Sequence, residues 1–164
     1  MPDHATVAPG LADLETKLSV VTQSIAGLPV EPALTDTLTA RFPPDGPVFR
    51  AIADLCRAGA REGWLCQREH GRIRYGRAVK PGPALHGFSV DVVDMAEVAG
   101  PHHAHPTGEI DMIIPEDAAA RFDGAGEGWL VYGPGSAHRP TVTGGRALVL
   151  YLLPNGEIDF KAAP

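Results

Sequence analysis

Apolar positions recur first at helical spacing and later at strand spacing. Leu11, Leu14, Leu18, Val21 and Ile25 stand three or four apart, which predicts an amphipathic helix from about residue 11. Gly27-Leu28-Pro29 ends it, because Gly accepts a cap conformation and Pro cannot continue a helix. Leu34, Leu38 and Phe42 predict a second, short helix over Glu31–Phe42. The turn "FPPDGP" then leads into a third helix over Val48–Gln67, with Phe49, Ile52, Cys56 and Ala60 on one side and Gly59 and Gly63 weakening its end. Residues 1–10 read as frayed.

After about residue 70 the pattern changes. Gly and Pro become frequent, and short runs alternate apolar with polar: "RIRYGRAV" (72–79), "FSVDVVDMAEV" (88–98), "GEIDMIIP" (108–115), "GWLVYGP" (128–134) and "RALVLYLLP" (146–154) read as strands. "TGG" (143–145) reads as a tight turn, and Asn155-Gly156 is a hairpin signal because both residues tolerate positive φ. Short strands at regular spacing predict a β-sandwich or barrel. The expected division is a helical region over 1–70, packed on the β unit or on a partner subunit, followed by a mainly β unit over 71–164.

The length of 164 residues suits one such unit with a helical appendage. A net charge of −6 argues against nucleic acid or an anionic membrane as the main partner. No apolar run approaches the roughly 20 residues that span a bilayer, and "MPDHATVAPG" lacks the basic and apolar regions of a signal peptide. Cys56 and Cys66 are too few for a disulfide framework and read as free thiols of a reducing cytoplasm. A cytoplasmic protein is expected.

Chemistry concentrates in "PHHAHPTGEIDMIIPED" (101–117), where three of the chain's seven histidines fall within four positions. On a strand, His103 and His105 share a face, and Glu109 has the same parity, so one face of one strand is expected to carry two imidazoles and a carboxylate. His102 has the opposite parity. Such a donor set suits a divalent transition ion: Fe, Mn, Zn, Ni or Cu. The closing ligand is sought in "GWLVYGPGSAHRP" (128–140), where the Gly135 turn can reverse the chain and aim His138 at the first strand. A lone histidine would read as an ordinary core or surface residue; four ligand-type residues facing one interior would need partners there.

These two segments resemble the cupin motifs. His103-Ala104-His105-Pro106-Thr107-Gly108-Glu109 is similar to the first motif, HxH with Glu after three residues, and Gly135-Ser136-Ala137-His138 to the GxxH core of the second. The resemblance spans about residues 84–160. It departs at Gly133, where the second motif usually has proline, and at Val142, where asparagine often stands. It implies a cupin-like antiparallel β-barrel of the jelly-roll type with His103, His105, Glu109 and His138 as metal ligands.

From about residue 11 to the end, the chain also resembles the 4-hydroxylaminobenzoate lyases. The resemblance rests on the size of the helical third, "WLCQRE", "GPHHAHPTGEIDMIIP", "GWLVYGPGSAHRPTVTGG" and "LVLYLLPNGEIDF". It implies conversion of 4-hydroxylaminobenzoate to 3,4-dihydroxybenzoate and ammonia. Breaking the N–O bond calls for a general acid or a Lewis-acidic metal, and the bond is itself the oxidant, so no nucleotide or flavin cofactor is expected. Glu109, Tyr132 and His138 are the expected catalytic groups, with Glu109 a ligand or a proton shuttle and Tyr132 a proton donor. Arg72, Arg74, Arg77, Lys80 and Arg139 are candidates for the substrate carboxylate, with Arg77 and Arg139 favoured because Arg binds carboxylates bidentately. Trp64, Phe88, Trp129 and Tyr132 are candidates for an aromatic pocket, with Trp129 assigned to substrate. A homodimer is expected. Two other classes remain open: a metal-dependent dioxygenase acting on a small aromatic acid, and a sensor cupin without catalysis whose helices dock a partner.

Overall fold

The computed structural model describes residues 8–161. The expected fraying of residues 1–10 therefore lies, for residues 1–7, outside the described residues, and Pro9 already begins a helix. Three helices come first: α1 (Pro9–Ile25), α2 (Leu34–Arg41) and α3 (Pro47–Glu62). Nine strands follow: β1 (Arg68–His70), β2 (Ile73–Val79), β3 (Phe88–Ala99), β4 (His103–His105), β5 (Glu109–Pro115), β6 (Arg121–Phe122), β7 (Gly128–Tyr132), β8 (Ser136–His138) and β9 (Thr141–Pro154).

Helix α3 stops five residues before the expected Gln67. Gly63 takes the left-handed conformation (φ 86°), and its amide closes onto the Gly59 carbonyl. The chain then doubles back so tightly that a Cβ on Gly59 would stand 2.6 Å from the Leu65 side chain. That reversal frees Arg68–His70 to form β1, which pairs with β2 across the Gly71 turn and which the helical pattern had concealed. Helix α2 is shorter than expected at both ends, because Glu31–Ala33 form a turn in which the Glu31 carbonyl accepts from the Leu34 amide.

The main sheet is antiparallel in the order β1-β2-β3-β9-β5-β7, with β6 added alongside β9; β4 and β8 form a separate two-stranded sheet. Strand β9 is the spine, paired with β3 on one edge and β5 on the other. Two turn expectations change as a result. Thr143-Gly144-Gly145 is not a turn but a bulge within β9: Ala96 pairs with Arg146 and Val98 with Val142, so three residues on β9 face one on β3. Positive φ at both glycines and the close approach of Asp117 and Ala119 make side chains there untenable. Asn155 and Gly156 do adopt positive φ (53° and 69°) in a turn. No hairpin follows, because both edges of β9 are already occupied; the chain passes instead to β4, where Asp159 and Ala104 exchange backbone hydrogen bonds.

Alternation along the strands builds two cores. Val90, Val92, Met112, Trp129, Leu150 and Leu152 face outward and pack with Leu14, Leu18, Leu38, Phe49 and Ile52 of the helices. Each such buried side chain contributes about 1.5–3 kcal/mol, so the helices form a layer of the fold rather than a loose arm. Met95, Ile113, Phe122, Val149, Tyr151 and Leu153 face inward. The curved main sheet and the β4–β8 sheet close over this inner core as a jelly-roll sandwich whose strands do not hydrogen-bond into a complete ring. The side chains that carry the chemistry sit between those two sheets.

Candidate metal centre

Strands β4 and β8 pair antiparallel, with His103 opposite His138 and His105 opposite Ser136. Cross-strand partners share a face, so the His103, His105 and His138 rings meet on the inner side, with centroids 4.6–4.8 Å apart. Glu109 is not on the same strand as the first two histidines, as parity alone had suggested. A turn at Pro106–Gly108 separates β4 from β5 and carries the chain from one sheet to the other. Gly108 makes it possible: its φ is +92°, and a Cβ would lie 2.7 Å from Val30 and 3.0 Å from the Tyr132 carbonyl. Glu109 then starts β5, opposite Tyr132 on β7, and its carboxylate points back at the imidazoles.

His103 Nε2 lies 3.4 Å from Glu109 Oε1, while His105 and His138 Nε2 lie 3.2 and 3.5 Å from Oε2. His138 and His103 Nε2 are 3.0 Å apart. All four groups offer donor atoms within 4.8 Å of one another. His103, His105 and Glu109 are buried, and His138 nearly so.

The hydrogen bonds set the tautomers. His103 Nδ1 faces the Pro101 carbonyl, which can only accept. His105 Nδ1 faces Ser136 Oγ at 2.9 Å, and that hydroxyl already donates to the Gly133 carbonyl, so it accepts from the ring. His138 Nδ1 donates to Asp123 Oδ2 at 2.6 Å. In its neutral form each ring thus carries hydrogen on Nδ1 and turns Nε2 toward the same point. Both Glu109 oxygens and His105 Nε2 are buried without a hydrogen-bond partner, which is costly in an apolar interior. A cation answers that cost. Donors sharing an ion at bonds of about 2.1 Å stand about 3.0 Å apart across a right angle and about 3.4 Å across a tetrahedral one; four of the contacts in this cluster run from 3.0 to 3.5 Å, and the whole set lies within 4.8 Å. Three imidazoles and one carboxylate suit a divalent transition ion; the donor set does not single out Fe, Mn, Zn or Ni.

Burial alone would raise the Glu109 carboxyl, but the three facing imidazoles hold it well below the usual carboxylate range. Asp111, two residues on and fully buried, is pushed the other way by desolvation and by Glu109. Burial opposes protonation of His138, yet Asp123 and Glu109 outweigh it and raise the imidazole to about 9. A cation at the centre competes with that proton at Nε2. The Tyr132 hydroxyl is pushed up by burial and by Asp123, to which it donates at 2.6 Å.

A cavity of about 710 Å³ opens beside His103, between β4 and the inner face of β2, β3 and β9. Its wall is largely apolar, with Ile73, Val93, Met95, Tyr151, Ile158 and Phe160. Its charged lining is Arg68, Arg77, Lys80 and Asp91, an excess of positive charge in a chain of net charge −6.

Not all the expected substrate residues reach this cavity. Arg77 lines it, but its Nε and Nη2 are engaged by Asp91 at 2.9 and 3.1 Å, and Nη2 also by the Gly156 carbonyl. Arg139 is exposed and lies outside the lining. Trp129 points to the opposite face of the sheet: its indole donates to the Phe42 carbonyl at 2.9 Å and meets Phe49 edge-on at 5.7 Å. It sits opposite Met112 rather than Glu109 in the β5–β7 register, which turns it toward the helices. Trp64 and Phe88 likewise belong to the helix-side core. Asp123, Asp111, Ser136 and Arg68 were missed. Asp111 was within reach, since "EID" gives it the parity of Glu109. Asp123 lies in a Gly-rich stretch that reads as a plain loop.

Compared with known proteins, residues 16–160 match the family described as PnbB, 4-hydroxylaminobenzoate lyase. A 4-hydroxylaminobenzoate lyase of Nocardioides sp. (strain LMS-CY) is 33% identical over 148 residues, covering 85% of each chain. One from Pseudomonas putida is 32% identical over 144 residues, covering 76% of this chain and 82% of that one. Among solved structures, a chain from the crystal structures of the DMSP lyases RdDddP and RnDddQII superposes with a TM-score of 0.52 at 16% identity, covering 93% of this chain and 100% of that one. At that identity the likeness bears on the fold alone.

Proposed function

Because this chain belongs to the 4-hydroxylaminobenzoate lyase family, we propose that it converts 4-hydroxylaminobenzoate and water to 3,4-dihydroxybenzoate and ammonia, with His103, His105, Glu109 and His138 holding a divalent transition ion. The observation that carries this reading is the convergence of three Nε2 nitrogens and a carboxylate beside a cation-rimmed apolar cavity. When bound, the ion supplies Lewis acidity to the hydroxylamine oxygen. The rest falls to the chain. Ile73, Val93, Met95 and Phe160 offer apolar surface to the ring and exclude water from it. Arg68 and Lys80, for which no ion pair is found among the described residues, attract the carboxylate at the rim, and Arg77 is fixed beside them by Asp91. The three imidazoles favour the ionised form of Glu109, which suits a ligand rather than a base, while burial and Glu109 push the neighbouring Asp111 carboxyl toward its neutral form. Tyr132, expected as a proton donor, has its hydroxyl hydrogen engaged by Asp123.

The reaction is balanced without an external oxidant. The N–O bond takes up two electrons as its oxygen leaves as water, and the ring gains its second hydroxyl in exchange. One water adds to the ring and another hydrolyses the C=N bond, so one water is consumed overall. The helical region packing on the β unit, a homodimer and a cytoplasmic location belong to the same proposal. Among the described residues no helix is long and apolar enough to cross a membrane. The deciding experiment is metal analysis of the purified protein followed by assay under argon. Equal yields of ammonia and 3,4-dihydroxybenzoate are expected; a strict need for oxygen would favour the dioxygenase instead, and binding without turnover the sensor.

A further inference from the structure

The three histidines of the centre are not supported alike. His103 and His105 rest their Nδ1 hydrogens on neutral acceptors, the Pro101 carbonyl and Ser136 Oγ. His138 alone rests on a carboxylate, Asp123. That carboxylate is itself fixed. Asp123 follows β6 with φ 49°, a left-handed conformation that Asp tolerates better than most residues. Its amide donates to the Thr141 carbonyl at 2.8 Å, and its Oδ1 accepts from the Thr141 amide at 2.9 Å. Oδ2 then accepts from two donors, Tyr132 Oη and His138 Nδ1, each at 2.6 Å. The Tyr132 ring lies 4.6 Å from that of His138 and 5.4 Å from that of His105, and Phe122 closes the other side of His138 edge-on at 6.1 Å.

We propose that Asp123 is the positioning residue of this centre, holding His138 in the Nδ1–H form with its Nε2 turned inward, and that Tyr132 serves as a brace on the same carboxylate oxygen. The inference rests on the metal reading above. An anionic acceptor behind an imidazole fixes the ring's orientation and makes its far nitrogen a better electron donor, and losing such support costs about 10–100-fold in metal affinity. His138 is therefore the most strongly donating imidazole of the three. Because one oxygen serves two donors and the other serves Thr141, an amide in place of the carboxylate cannot reproduce the set: its single carbonyl oxygen must abandon either Thr141 or the pair.

The test uses the full chain and Asp123→Asn, which retains tolerance of positive φ, alongside Asp123→Ala. Binding of Zn(II) is measured by competition with a chromophoric chelator, and the imidazole protons are followed by NMR in the metal-free and zinc-loaded protein. In the wild type, a downfield, exchange-protected proton assigned to His138 Nδ1 is expected in both states. Asp123→Asn should weaken zinc binding about 10–100-fold and lose or shift that proton while the metal-free protein melts as a folded domain. Tyr132→Phe, which leaves the Asp123–His138 bond in place, should change affinity less. Wild-type affinity in both Asp123 variants, or no protected His138 proton in the wild type, would overturn the inference. A protected proton together with no zinc uptake by the wild type would overturn the metal reading and leave the Asp123–His138 bond standing.

Discussion

Trp129 separates two accounts of the same residue: a wall of the substrate pocket, or part of the core between sheet and helices. Replacing it by Phe keeps an aromatic ring edge-on to Phe49 but removes the indole N–H. The Phe42 carbonyl, which accepts from that N–H at 2.9 Å, then loses its side-chain donor at a buried site, at a cost of about 1–3 kcal/mol. The smaller ring also gives up part of its packing against Phe49, and a buried methylene equivalent is worth about 0.8 kcal/mol. Together these destabilise the fold by roughly 2–4 kcal/mol. With a slope of about 2 kcal/mol per molar urea, the unfolding midpoint should fall by about 1–2 M. Trp129 is buried and faces away from the histidines, so KM for 4-hydroxylaminobenzoate should stay within about twofold under folding conditions, since nothing that touches substrate has changed. Urea unfolding followed by circular dichroism, with steady-state ammonia release at low temperature, reads both quantities. A several-fold rise in KM with an unchanged urea midpoint would refute the placement of Trp129 and return it to the pocket.

Removing a donor atom, as in His105→Ala, should abolish tight metal binding, by more than the roughly 100-fold that loss of a supporting group costs, and should stop turnover. The metal-free variant should remain folded, because the two apolar cores hold the chain; a variant that is metal-free and fully active would end the metal-dependent account. In oxygen-18 water under argon, label is expected in the C4 hydroxyl of 3,4-dihydroxybenzoate, since the imine carbon is hydrolysed by solvent; label arriving only from oxygen gas would overturn the lyase. Burial pushes the Cys66 thiol up to about 12 and raises that of Cys56 as well, so the thiolate form is scarce at neutral pH. Both cysteines should alkylate slowly in the folded protein and rapidly in denaturant; fast modification of the native chain would contradict their burial.

Local periodicity was enough to give the order of elements, three helices and then strands, because helix and strand spacing reside in neighbouring residues. It also put His103 and His105 on one face, since that is a property of two residues on one strand. Continuing the same parity places Glu109 with them. It does converge on them, but by another route, through the Gly108 turn and across to a second sheet. Parity cannot say which face of a strand meets helices and which meets the interior; the β5–β7 register and the position of Phe49 decide that Trp129 faces the helices. The residue type recommends Arg77 for the substrate carboxylate, but Asp91, fourteen residues away, already occupies its guanidinium. Asn155-Gly156 makes its turn locally, but whether a hairpin follows depends on β9 having a vacant edge, and it has none. Asp123 is the extreme case. Its partners lie 9, 15 and 18 residues away, and nothing in "RFDGAGEG" distinguishes it from an ordinary turn aspartate. Its role arises only where β6, β7, β8 and β9 meet, because a hydrogen bond depends on distance in space and not on distance along the chain.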